Sequence, residues 1–416
     1  MQSIDTIDLN DPGRFERMEH HSMFETLRRE DPVHWTDVPG GRGYWSITKH
    51  ADLGLINRDA TGFSSESGGI NIIDLDGVEN GFDMRGQMML MTDPPKHTRY
   101  RLLVNKGFTP RMIGLISEHL RYRAELIVDA VIERGSCDFV TDLAAELPLQ
   151  AIADIMGVPQ EERHLLFGWS NAMIGADDPE YQNADPEGAL NSTVAAAELY
   201  MYASELGKAR RAEPLDDVVS KLINAEINGD RLTDAEFEMF MLLLVVAGNE
   251  TTRNATAHGM HALLTNPEQF AMVRDDPGLF DTTATEEVLR WATPVMYFRR
   301  DAARELELRN KVIKPGDKVV MWHISANRDE EVFDDPFRFD VLRNPNDHIA
   351  FGGGGAHFCL GANLARVELK LIFKELAERM GDMSFSGDVE RLRSNFIGGI
   401  KHMPVSFTPG KRRHAA

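Results

Sequence analysis

The sequence predicts a mainly α-helical protein with small β-sheets, in one domain spanning residues 1–416. Three observations predict it. Residues 97–293 and 360–379 carry helical apolar periodicity. Runs of β-branched and aromatic residues near 32–48, 303–325 and 395–408 are bounded by Gly and Pro turns. No internal repeat, low-complexity linker or composition shift marks a boundary between domains. The composition is that of a globular chain, 42% hydrophobic and 27% charged. Its formal charge of −21 argues against binding nucleic acid or anionic membranes. Two cysteines, Cys137 and Cys359, cannot build a disulfide framework or a multi-cysteine zinc site, which fits a reducing cytoplasm.

Taken in order, residues 15–36 carry a helical pattern that should stop at Asp31-Pro32. Val33–Trp35 and Tyr44–Ile47 read as strands around a Gly40-Gly41 turn. Residues 64–90 form a long Gly- and Ser-rich loop, a length typical of functional lids or disordered segments. Breaks in the helical region fall at Thr109-Pro110, Pro148, Gly157-Val158-Pro159, residues 176–188, Pro214, Gly229-Asp230 and Asn266-Pro267. Thr233 with Glu236 is a capping box opening a long helix near 233–264. The N-terminus lacks a basic and apolar leader pattern. The longest apolar run, Met239 to Ala247, is about half the ~20 residues a membrane-spanning helix needs, so no membrane anchor is expected.

The strongest local signal is Phe351-Gly352-Gly353-Gly354-Gly355-Ala356-His357-Phe358-Cys359-Leu360-Gly361, followed by Ala362-Asn363-Leu364-Ala365-Arg366. The glycines let the backbone approach a flat ligand and adopt positive φ. Cys359 sits where this loop meets a helix, and a helix N-terminus favours the thiolate. A lone thiolate ringed by backbone N–H groups is what a haem-thiolate site needs. A phosphate loop would require Gly-Lys-Ser/Thr, but Ala356-His357 follows the glycines. The G-x-G-x-x-G spacing fails as well. A phosphatase-type C-x5-R also fails, because Arg366 falls one residue late. The plain alternative is an inert buried cysteine, which is the reading for Cys137.

The whole string resembles the haem-binding loop of cytochrome P450 monooxygenases. The usual family pattern has Phe seven residues before the cysteine. Phe351 is eight before Cys359, a longer form resembling the bacterial branch that hydroxylates steroid side chains and methyl-branched lipids. Further motifs follow in family order. Ala247-Gly248-Asn249-Glu250-Thr251-Thr252 places Gly inside the long helix, at about 1 kcal/mol relative to Ala, which makes room for a large group. His97 and Arg101 share a helix face and suit a carboxylate. Glu287 and Arg290 are spaced for an intrahelical ion pair.

By resemblance, Cys359 is the axial ligand of haem b iron. Ala247, Gly248, Phe351, Gly352 and Gly361 lie against the haem, and His97, Arg101, Arg300 and His357 hold its propionates. Glu250 and Thr251 are implied as the catalytic pair delivering protons to bound O2. Glu287 and Arg290 are implied to be structural, joined by Arg338. Arg299 should point away from Arg300 if that segment is extended. The fold implied is the P450 fold, in which a long central helix and the C-terminal Cys loop enclose haem. The apolar pocket candidates are Ile72, Met88, Val245, Val246, Val295, Met296 and Ile397, suiting a sterol side chain, a methyl-branched lipid or a terpenoid. No flavin or iron–sulfur motif is visible, so a ferredoxin and its NAD(P)H-dependent reductase are the expected electron source. Arg99, Lys106, Arg111, Lys370 and Lys374 are candidates for a basic docking face. Two alternatives differ in class. A peroxide-driven haem hydroxylase would not need Glu250-Thr251. A non-enzymatic haem sensor would need neither that pair nor an apolar channel.

Overall fold

A computed structural model describes residues 3–74, 83–175, 177–182, 192–215, 217–227 and 229–414, without the side chains of residues 110–113 and 115. The N-terminal pattern is two helices, Pro12–Glu16 and His20–Glu30, ending before Pro32. The Thr233 side chain accepts from the Glu236 N–H and Glu236 returns the bond, so the expected capping box opens the 32-residue helix Asp234–Thr265. Most of this helix is buried around its circumference, as befits a helix running through a core rather than along a surface. It packs on the helices Glu146–Met156, Arg163–Ile174, Ser192–Ala212, Ala284–Ala292 and Ala362–Arg379. Pro148 breaks nothing. It lies in the first turn of Glu146–Met156, where a backbone N–H has no partner within the helix.

The small β regions do not stay local. A five-stranded sheet runs in the order Val33–Thr36, Tyr44–Ile47, Lys318–Trp322, Tyr297–Ala302 and Phe63–Ser64. Tyr44 lies opposite Lys318 in a parallel pair, and Arg300 opposite Val319 in an antiparallel one. Strand structure therefore starts at Tyr297, earlier than the expected 303. Near the C-terminus, Ile400–His402 pairs with Glu390–Arg391, while Ile397 makes only an isolated bridge to Val295. Pro404–Ser406 lies between Ser136–Asp138 and Ser384–Phe385. The half-buried Cys137 sits in that sheet with burial pushing its thiol up to about 12, an inert structural cysteine.

Glu287 and Arg290 form a fully buried pair at 2.7 Å. The third side chain is Arg343, not Arg338: Arg343 Nε lies 3.1 Å from Glu287 Oε2. Arg338 is itself exposed and offers its carbonyl, to both Arg290 and Arg343. The resemblance implied Arg338 through the Pro336–Phe339 motif, but Arg343, five residues later, is the side chain that reaches Glu287.

Candidate active site

The Cys loop is built by close approach to a neighbour. Gly352, Gly353, Gly354 and Gly355 all have positive φ, from 63° to 104°. A Cβ on Gly355 would lie 1.9 Å from the carbonyl oxygen of Asn57, at the end of the helix His50–Arg58. The glycines thus seat the loop against that helix as well as giving it its curvature. Gly355→Ala is expected to disorder the loop, costing at least about 2 kcal/mol and lowering haem content per chain. A pigment-to-protein absorbance ratio checks this.

Cys359 donates its N–H to Phe351 O at 3.0 Å. The N–H groups of Gly361 and Ala362, at the start of the helix Ala362–Arg379, favour its thiolate form. Burial nevertheless pushes the thiol above its ordinary range, and these N–H groups with Arg101 and Arg366 only partly offset it. The N–H groups at the helix start do act to favour the thiolate, as expected, but burial outweighs them. Such a sulfur suits coordination to a cation, which supplies the missing charge. Phe351 is half-buried, and the Arg366 guanidinium lies 4.6 Å from its ring centroid. Arg366 is also held by Glu286, through bonds of 2.7 and 2.8 Å.

Four basic groups converge beside the loop. The rings of His97 and His357 are 4.0 Å apart, and Ser65 Oγ meets His357 Nε2 at 3.1 Å. Arg101 and Arg300 both act on the two imidazoles. Burial first, then those guanidiniums, lowers His97 to about 4 and His357 to about 2. Arg300 falls to about 10 through burial, with Asp93 opposing. His97 Nδ1 is buried without a partner. A basic cluster that faces Asp93 and leaves a buried nitrogen unpaired fits a dianionic ligand edge, as haem presents. Arg299 turns to the other side of its strand, as expected from the alternation. It pairs with Asp301 at 2.7 Å and Asp74 at 3.1 Å.

On the long helix, Ala247 is exposed although its neighbours are largely buried. Thr251 Oγ1 donates to Ala247 O at 2.7 Å. A Cβ on Gly248 would lie 2.4 Å from Ile152 Cδ1, so the packing of Ile152 also favours glycine there. Glu250 is fully buried on another face. It pairs with Arg253 and accepts from Ser170 Oγ at 3.4 Å. Burial raises its pKa, with Arg253 opposing. Nothing lies within 4 Å of where a Cβ on Gly361 would be.

The pocket candidates divide. Val246 and Val295 keep accessible surface. Val245 has none and packs in the main core, and Met296, 2% exposed, packs with Tyr297 and Trp322. These two are core residues, correcting their assignment to a lining. Ile72, Met88 and Ile397 are buried as well. The 64–90 loop is pinned at its start: Lys318 Nζ donates to Ile72 O at 3.0 Å and pairs with Asp74 at 2.8 Å. Residues 75–82 of that loop and the Arg111 side chain lie outside the described residues. Arg99 is engaged by Asp230 and Glu236, and Lys374 by Asp281, so the basic face carries less free charge than expected. Sequence reading missed Arg253, Arg366, Ser65 and Asp93. Arg253, at i+3 from Glu250, carried a readable signal; Ser65 and Asp93 act across the fold and carried none.

A family model described as Cytochrome P450 matches residues 282–379. Over 389 residues the chain is 45% identical to a steroid C26-monooxygenase of Mycolicibacterium smegmatis, covering 92% of this chain and 89% of that one. It is 42% identical over 394 residues to a methyl-branched lipid omega-hydroxylase of Mycobacterium tuberculosis, covering 92% and 90%. A Mycobacterium marinum cytochrome P450 in complex with pseudoionone superposes with a TM-score of 0.88 at 38% identity, covering 98% of this chain and all of that one. The chain belongs to the cytochrome P450 family and is a haem-binding monooxygenase. No helix among the described residues is long and apolar enough to cross a membrane.

Proposed function

We propose that the chain hydroxylates a steroid side chain, a methyl-branched lipid or a terpenoid at or near a chain end, using haem b and electrons from a ferredoxin and its NAD(P)H-dependent reductase. The observation that carries this is Cys359, just before the helix Ala362–Arg379, on a loop beside the His97, Arg101, Arg300 and His357 cluster. The named activities of the similar enzymes support the substrate class. When bound, haem supplies the reductive activation of O2 and the insertion of one oxygen atom into a C–H bond. Cys359 ligates it, and the basic cluster neutralises its propionates. Thr251 holds a hydroxyl proton on the exposed face it shares with Ala247. Glu250 replenishes it by turning from Arg253, because its burial favours the protonated form. Val246 and Val295 line the substrate space. A cytoplasmic location fits the two unpaired cysteines.

A panel of steroid, methyl-branched and terpenoid substrates, scored by the haem spin-state shift and product analysis, tests the substrate class; binding of none would discard it. Thr251→Ala is expected to keep haem and substrate binding but to lower product per NAD(P)H about tenfold or more. An unchanged ratio in both Thr251→Ala and Glu250→Gln would remove the pair from the mechanism. Lys370→Glu with Lys374→Glu should slow ferredoxin-dependent reduction several-fold, with a weakened salt dependence. Stopped-flow reduction measures it, and unaltered rates would move docking elsewhere.

A further inference from the structure

Two successive carboxylates on the helix Ala284–Ala292 serve different partners. Glu287 turns into the interior, to Arg290 and Arg343. Glu286 turns toward the Cys loop. It accepts a bidentate pair of bonds from Arg366, Nε at 2.7 Å and Nη2 at 2.8 Å, and lies 3.0 Å from His348 Nε2. Among the described residues, Glu286 is the one ion-pair partner of Arg366. His348 brings no charge to the group. Its Nδ1 accepts the Ala350 N–H at 3.3 Å, so its proton sits on Nε2 and is donated to Glu286. Burial raises the Glu286 carboxyl, but the bonds from Arg366 and His348 overcome it and hold the group down at about 2. The carboxylate and the guanidinium therefore both stay charged through the neutral range, and their charges cancel.

An unbroken set of contacts joins this pair to the sulfur-bearing residue. The Arg366 guanidinium lies 4.6 Å from the Phe351 ring centroid, and Phe351 O accepts the Cys359 N–H at 3.0 Å. The Phe351 ring also meets those of Phe358 and His348, with centroids 6.4 and 6.1 Å away. Arg366 stands near the start of the helix Ala362–Arg379 that follows Cys359, and its charge favours the Cys359 thiolate. The Arg366 and Glu286 side chains keep 28% and 26% exposure, so solvent screens the pair in part and its effect is moderate.

We propose that Glu286 is a positioning residue for the electron-accepting step: by aiming Arg366 across the Phe351 ring and cancelling its charge, it sets the reduction potential of the haem that Cys359 ligates. This rests on Cys359 being that ligand. One-electron reduction adds one negative charge to the haem–thiolate unit. A free cation beside the unit favours that charge and a free anion opposes it. Paired, neither acts at full strength. The stacked, bidentate guanidinium also fixes where the positive charge sits, which the flexible ammonium of a lysine does not. A staple that held only the shape of the loop would carry no sign, because loosening it from either end would have the same consequence.

The midpoint potential of substrate-free holoenzyme, titrated with dithionite and mediator dyes, separates the two. Glu286→Gln keeps the side-chain shape and leaves Arg366 unbalanced. The potential should rise, shifting the ferric–ferrous equilibrium about three- to tenfold, or about 30–60 mV for one electron. Arg366→Gln leaves Glu286 unbalanced and should lower the potential by a similar factor. The double variant should return to within about twofold of the unmodified equilibrium. Arg366→Lys retains the charge and should stay nearer the unmodified value than Arg366→Gln. Shifts of the same sign in Glu286→Gln and Arg366→Gln, or no shift in either, would overturn the proposal. If only one of them loads haem, its sign decides alone: a fall in Glu286→Gln or a rise in Arg366→Gln overturns it. Loss of haem from both marks a purely structural staple and overturns it too. The red-shifted Soret band of the reduced, carbon monoxide-treated unmodified enzyme tests the ligand separately. With the band present and the potentials unmoved, the role of Glu286 fails alone; with the band absent, the ligand assignment fails first.

Discussion

Cys359→Ser is expected to fold yet lose the red-shifted Soret band that reduced, carbon monoxide-treated haem-thiolate proteins show. The N–H groups of Gly361 and Ala362 and the charge of Arg101 are in place for a sulfur anion. A serine hydroxyl keeps the hydrogen-bonding shape but is far harder to ionise, and it does not reproduce thiolate donation to the iron. Activity should fall to background while circular dichroism of the apoprotein stays unchanged. Retention of the band in Cys359→Ser would refute Cys359 as the ligand, and with it the proposed haem geometry.

Glu287→Ala should be the most destabilising single change. Glu287 has no exposed surface, and it accepts from Arg290, Arg343, Asn346 and the Asp340 N–H. Removing it leaves the fully buried Arg290 without its counter-charge, a loss of about 3–5 kcal/mol. Arg343→Ala should cost less, about 1–3 kcal/mol, because Arg290 still balances the carboxylate. Arg338→Ala should stay within about 0.5 kcal/mol, as that side chain is exposed. Denaturant midpoints of the three variants measure the order. If Arg338→Ala destabilised more than Arg343→Ala, the assignment of the third member would be wrong.

Much of the site was legible because it depends on short-range patterns. The capping box of Thr233 and Glu236, the i, i+3 pair Glu287 and Arg290, and the glycine loop running into Cys359 are each closed within a few residues. The alternation that sends Arg299 and Arg300 to opposite sides is a property of any strand. Local chemistry of this kind is written in spacing, and spacing survives without knowledge of the fold.

What spacing could not supply was which distant group ends up beside which. Tyr44 meets Lys318, Ser65 meets His357, and Arg343 rather than Arg338 reaches Glu287. The reason for one glycine was also tertiary: Gly355 is set by the backbone of Asn57. Burial added what the helix N-terminus alone did not reveal, since desolvation of Cys359 exceeds the pull of the Gly361 and Ala362 N–H groups. It also turned Val245 and Met296 from lining into core. The sequence by itself determined the family, the helices and the identity of the sulfur ligand candidate. Only the tertiary structure decided the partners, the exposure and the balance of charge, because these are sums over neighbours brought together from far along the chain.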